Sequence, residues 1–125
     1  MIIGIGIDII EVDRIAESYK RFGERFLKRI LKPEEIEYCL SNKNPAPFIA
    51  SRFAVKEAVS KAFGTGIGSK LGWQDIEVKK EPSGKPYVVL HGNGIKLMEE
   101  LRAKKLHISI SHTENYATAV AVLEV

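Results

Sequence analysis

The chain has 125 residues, of which 45% are hydrophobic and 28% charged, with a formal net charge of +3. That length suits one domain, residues 1 to 125, able to bury about two-thirds of its unfolded surface, and the balance excludes a disordered chain. The longest apolar runs, Met1 to Ile7 and Ala117 to Leu123, are too short to span a bilayer and lack the shape of a signal peptide. A cytoplasmic protein with no membrane segment is expected.

Residues 1 to 9 are almost continuously apolar, which predicts a strand covered on both faces. Asp8 closes that run. A carboxylate at the end of a buried strand is costly unless paired, hydrogen-bonded or metal-bound, so Asp8 is a candidate for chemistry. From Val12 to Ile30 the apolar residues Ile15, Phe22, Phe26 and Ile30 recur at helical spacing, with Gly23 as a break. The same stretch carries Arg14, Lys20, Arg21, Arg25, Lys28, Arg29 and Lys32 against only Glu17 and Glu24. Such asymmetry is either a solvated face or a surface for an acidic partner.

Lys32-Pro33-Glu34-Glu35 predicts a helix start, with proline and acids in the first turn. Cys39 follows on an apolar stripe with Ile36 and Leu40. It is the only cysteine, so an internal disulfide is impossible and a buried structural thiol is expected. After a loop at Asn42 to Pro47, a helix of about Phe48 to Phe63 keeps Ile49, Phe53, Val55, Ala58, Val59, Ala62 and Phe63 on one side. A glycine-rich stretch, Gly64 to Gly72, comes next. Trp73 to Lys80 alternates as a strand, Glu81 to Gly84 turns, and Pro86 to His91 returns as its hairpin partner. A helix then carries Ile95, Met98 and Leu101 and ends in Arg102, Lys104 and Lys105. His107 to His112 and Tyr116 to Val125 form a second hairpin, whose last strand is apolar enough to be fully buried. The fold class is α+β, a small antiparallel-rich sheet packed against helices.

Glu57 and Lys61, four residues apart, share one helix face. They form either an ordinary surface ion pair or part of a site. The apolar helix around them and the glycine-rich loop that follows favour the second reading. Glycine N–H groups, Lys61 and Lys70 could cradle a phosphorylated ligand, although the loop matches neither the P-loop nor the dinucleotide fingerprint. Asp8 and Glu57 would then suit Mg²⁺, a hard cation that takes one or two carboxylates and completes its shell with water and phosphate. No His/Cys cluster has zinc spacing. His112 shares a strand face with Ile108 and Ile110, as a core histidine or a phosphate contact before the turn at Thr113. His91 and His107 have no such setting and receive no role.

Three segments together resemble one family. Gly4-Ile5-Gly6-Ile7-Asp8-Ile9-Ile10-Glu11-Val12-Asp13-Arg14-Ile15 resembles the opening of the holo-acyl-carrier-protein synthases, the short phosphopantetheinyl transferases. Phe53 to Gly66, Phe-Ala-Val-Lys-Glu-Ala-Val-Ser-Lys-Ala-Phe-Gly-Thr-Gly, is similar to their central motif, and Ser109-Ile110-Ser111-His112-Thr113 to their C-terminal one. The resemblance implies Mg²⁺-dependent transfer of the 4′-phosphopantetheine arm of coenzyme A to a serine of acyl carrier protein, leaving adenosine 3′,5′-bisphosphate. By position, Asp8 and Glu57 would hold the metal, Lys61 would contact phosphate, and Glu57 could also help deprotonate the serine. His112 and Thr113, with the Gly64-Thr65-Gly66 backbone, would bind the nucleotide end. Arg14 and Arg21, with Arg25 on the same basic face, would meet the acidic carrier. The resemblance further implies a homotrimer with active sites between subunits, in a fatty-acid or lipid biosynthetic setting.

Two other classes fit parts of the chain. An RNA-binding module would use the Arg14–Lys32 cations, but Phe22 and Phe26 read as core-facing rather than interleaved for base stacking. A non-catalytic protein-binding module would need the cations but not a strand-terminal Asp8. No nucleic acid and no membrane are expected as partners.

Overall fold

In the computed structural model, which describes residues 1–125, β1 (Ile2–Glu11) runs directly into α1 (Val12–Phe22) and α2 (Glu24–Ile30). Gly23, at φ +60°, makes the break between the two helices, a conformation that L side chains adopt only with strain. α3 (Pro33–Leu40) begins at the expected proline, and the Glu35 carboxylate accepts the Lys32 backbone N–H at 2.8 Å. α4 (Ala46–Phe63) starts two residues earlier than its apolar pattern suggested. The segment Trp73–Asp75, expected to open a strand, is instead a 3₁₀ turn. It is followed by the hairpin β2 (Ile76–Lys80) and β3 (Pro86–Leu90), then α5 (Asn93–Glu100), β4 (Lys105–His112) and β5 (Tyr116–Glu124).

Two antiparallel sheets result, one of three strands in the order β1-β5-β4 and one formed by β2 and β3. α4 covers one face of the larger sheet. Ala54, Val55, Ala58, Val59 and Ala62 of the helix pack against Ala119, Ala121 and Leu123 of β5. The contact is unusually close because β1 presents glycines to the helix. A Cβ on Gly6 would lie 1.8 Å from the Ala58 carbonyl oxygen, and one on Gly4 would lie 1.9 Å from that of Ala62. A second core, under α1 to α3, gathers Val12, Ile15, Leu27, Ile30, Leu31, Cys39 and Ile49.

The expectation of two-sided burial fails for both apolar strands. On β1, Ile5, Ile7 and Ile9 are 63%, 64% and 64% exposed on the face opposite α4. On β5 only Ala117, Ala119, Ala121 and Leu123 are buried, while the alternate residues Val120 and Val122 are partly open on that same outer face. Continuous apolarity here marks one face packed on α4 and a second that nothing in this chain covers. Three helical positions also depart from expectation. Phe22 is 52% exposed, and Ile95 and Leu101 of the α5 region point outward while Leu97 and Met98 pack on the core. Leu40 likewise lies open, although its neighbour Cys39 is sealed.

No helix is long and apolar enough to cross a membrane.

Candidate active site

The close approach of β1 to α4 brings Asp8 and Lys61 together. Asp8 faces the helix, in register with Ala119 of β5, and Thr118 Oγ1 donates to its main-chain oxygen at 2.7 Å. The Lys61 ammonium donates to Ile7 O at 2.9 Å and to Asp8 Oδ1 at 3.3 Å. The alternative reading of that spacing, an ordinary Glu57–Lys61 surface ion pair, does not form; Lys61 turns to the strand instead. Asp8 Oδ2 is buried without a hydrogen-bond partner.

Glu57, one helical turn before Lys61, is half-buried. Burial pushes its carboxyl above the ordinary carboxylate range; the nearby Asp8 charge adds to the rise and Lys61 opposes it. The three side chains therefore share one electrostatic neighbourhood. An unsatisfied Asp8 oxygen beside a second, charge-strained carboxylate is a donor set suited to a hard divalent cation. No group of three or more His, Cys, Asp or Glu side chains that could hold a metal ion occurs in the chain, so Asp8 and Glu57 stand as a pair.

His112 does not join this group. It is on the same sheet face as Asp8, opposite Ala117, but at the end of β4, with β5 between it and β1. Two strand spacings separate them, roughly 10 Å sideways. His112 instead stacks near Phe48, with ring centroids 6.0 Å apart, at the rim of a hollow of about 170 Å³ that Ser51, Arg52 and Lys80 also line. Thr113 follows in the turn, where its hydroxyl accepts the Tyr116 backbone N–H at 3.1 Å.

The Gly64 N–H is bonded to Lys61 O, and those of Thr65 and Gly66 to Ser60 O, which closes the end of α4. These donors, expected to face a phosphate, are engaged by the helix. Gly64 and Gly66 serve the turn through positive φ angles of 79° and 66°. Lys70 is exposed.

Arg14 and Arg21 line one open hollow with Lys20 and the exposed Phe22, and Arg25 and Arg29 line the next. Phe22 is thus an aromatic set among cations, with the Arg21 guanidinium 5.2 Å from its ring, rather than a core residue.

Two functional candidates escaped sequence reading. Arg52 is buried, stacks 4.3 Å over the Tyr38 ring, and has an Nε without a partner beside the His112 hollow. Lys56, fully buried, donates to Glu35 Oε1 and Ile30 O, each at 2.7 Å, and to Trp73 O at 3.2 Å. The available signal was a cation interrupting an otherwise apolar helix face at each position. His91 and His107, given no role, bond Glu77 and Glu124 respectively.

A family model described as the 4′-phosphopantetheinyl transferase superfamily matches residues 4–121. The holo-(acyl-carrier-protein) synthase of Koribacter versatilis (strain Ellin345) is 51% identical over 124 residues, covering 99% of each chain. Among solved structures, the holo-(acyl-carrier-protein) synthase from Neisseria meningitidis superposes with a TM-score of 0.93 at 37% identity, covering 100% of both chains. The Helicobacter pylori synthase in complex with coenzyme A gives 0.86 at 41% identity, covering 96% of this chain and 99% of that one.

Proposed function

The chain belongs to the 4′-phosphopantetheinyl transferase superfamily, among the holo-acyl-carrier-protein synthases, and from that premise we propose that it moves the 4′-phosphopantetheine group of coenzyme A onto a serine of apo acyl carrier protein. The serine oxygen bonds to the phosphorus bearing the pantetheine arm, the pyrophosphate P–O bond breaks, and adenosine 3′,5′-bisphosphate leaves with the electron pair. The convergence of Asp8, Glu57 and Lys61 where β1 meets α4 is the observation that carries this reading.

Each residue has a task in that step. Glu57 takes the serine proton directly or through one water. Lys61, half-exposed on its outer side, reaches a phosphate oxygen. Asp8 and Glu57 would hold Mg²⁺, which when bound would neutralise charge on the pyrophosphate. Phosphoryl-type transfer requires mostly such positioning and charge neutralisation. The nucleotide end takes the hollow beside His112 and Thr113, where Arg52 and Lys80 add positive charge. Arg14, Arg21 and Arg25 meet the acidic carrier.

The separation of His112 from Asp8 within one chain favours a site completed by a neighbouring subunit. The outer face of the β1-β5-β4 sheet supports this, since Ile5, Ile7, Ile9, Val120 and Val122 form a continuous apolar surface of a kind monomers rarely leave open. We read that face as closing against further copies of the chain in a homotrimer. Residues 1–125 are read as one transferase domain acting in the cytoplasm, in fatty-acid or lipid metabolism.

Incubation with coenzyme A, Mg²⁺ and an apo carrier protein, followed by intact mass measurement, tests the reading. One phosphopantetheine added per carrier is expected. An unchanged mass across several apo carriers at millimolar Mg²⁺ rejects it.

A further inference from the structure

Lys61 binds β1 in a particular way. Its ammonium spans Ile7 O and Asp8 Oδ1, at 2.9 and 3.3 Å, and has no other partner in the chain. The two ends of that contact differ in freedom. The Lys61 side chain is 51% exposed, whereas Asp8 is only 16% exposed and its backbone is fixed by Thr118. One carboxylate oxygen is thus turned to a cation on a flexible arm, and the other, Oδ2, is buried and unsatisfied. Glu57 stands one helical turn before Lys61 on α4. With all three groups ionised, two negative charges face one positive charge.

We propose that Lys61 is the resident counter-ion of Asp8, and that a divalent cation binds there in competition with it. An ammonium and a divalent ion at the same carboxylate repel each other, so occupancy by the ion releases the lysine head toward its open side. A released Lys61 is then available to an incoming phosphate, which couples loading of the ion to presentation of the lysine. This arrangement also gives a reason for Lys61 to pair with the strand rather than with Glu57 on its own helix. The inference rests on the assignment of Asp8 and Glu57 as the metal pair.

The test measures binding of Mn²⁺ alone to the full chain by electron paramagnetic resonance, without coenzyme A or carrier. Lys61→Met, and Lys61→Gln as a second variant, should bind Mn²⁺ at least tenfold more tightly than the unaltered protein, about 1.4 kcal/mol. Both lie on an exposed side chain, and circular dichroism verifies their fold. Asp8→Asn should lose saturable binding. Affinity that stays the same or falls in both Lys61 variants, with Asp8→Asn still abolishing binding, overturns the competition and leaves the metal pair standing. Retention of binding by Asp8→Asn rejects the metal pair itself and the competition with it, as does an absence of saturable binding in every form.

Discussion

Lys56 Nζ stands 2.7 Å from Glu35 Oε1, with both side chains sealed from solvent. The pair ties α4 to the start of α3, and its remaining bonds reach Ile30 O, Trp73 O and the Val78 N–H. Burial lowers the Lys56 proton affinity, and Glu35 opposes that effect. Five segments, α2, α3, α4, the Trp73 turn and β2, therefore meet on two charges directly behind the helical turn that carries Glu57.

Removing one partner leaves the other buried and uncompensated. Lys56→Met and Glu35→Gln should each destabilise the fold by about 3–5 kcal/mol, measured by urea unfolding. The double variant should recover part of that loss, since no lone charge remains.

The glycines of β1 give a sharper contrast. Gly6→Ala forces a Cβ to within 1.8 Å of the Ala58 carbonyl oxygen, so either the strand or α4 must move. A loss of about 3 kcal/mol or more is expected. Gly68→Ala meets nothing within 4 Å and should stay within about 0.5 kcal/mol of the parent. Similar unfolding midpoints for the two variants would contradict the close β1–α4 contact.

Much of this was legible in the sequence. The helix around Glu57 and Lys61 follows from periodicity and β1 from its apolar run, although the strand continues to Glu11 and leaves Asp8 inside it rather than at its end. Three separated motifs carry the family resemblance. The failures have a common cause. Ile5, Ile7, Val120 and Val122 look like core in one dimension because they are apolar, but their face is left open by this chain. Pattern records that a face is apolar, not what covers it. Arg52 and Lys56 escaped for the opposite reason, since a cation in sequence reads as solvent-exposed until its buried partners are known.

Cys39 supplies a pH prediction. Burial pushes its thiol up to about 11, above the ordinary thiol range. Because the folded value is the higher one, its contribution to stability is whole below the unfolded value and is lost as pH rises through about 11. At pH 8 the native thiol should resist alkylation, with modification appearing only on unfolding. Rapid labelling of the folded protein at pH 8 would contradict the buried setting.

The cationic face of α1 and α2 should act on one substrate only. Arg14→Glu or Arg21→Glu should raise the KM for carrier protein on the order of tenfold, about 1.4 kcal/mol, and leave that for coenzyme A nearly unchanged. The difference should shrink with salt, because exposed charges are screened beyond about 8 Å at physiological ionic strength. Equal effects on both substrates would remove this face from carrier recognition.

The outer sheet face predicts association. Ile7→Lys places a charge at its centre and should leave a monomer near 14.0 kDa by light scattering, where the parent protein runs as about three chains. A monomeric parent protein would contradict the apolar face as an interface.

The central claim, that Asp8 and Glu57 at the β1–α4 junction perform the transfer, is tested most directly by the initial rate of holo-carrier formation, followed by intact mass. Asp8→Asn and Glu57→Gln change little volume and remove one charge each. Both should be slowed about 100-fold or more while keeping the far-ultraviolet spectrum of the parent protein. Near-parent rates in either variant at limiting Mg²⁺ would contradict the account.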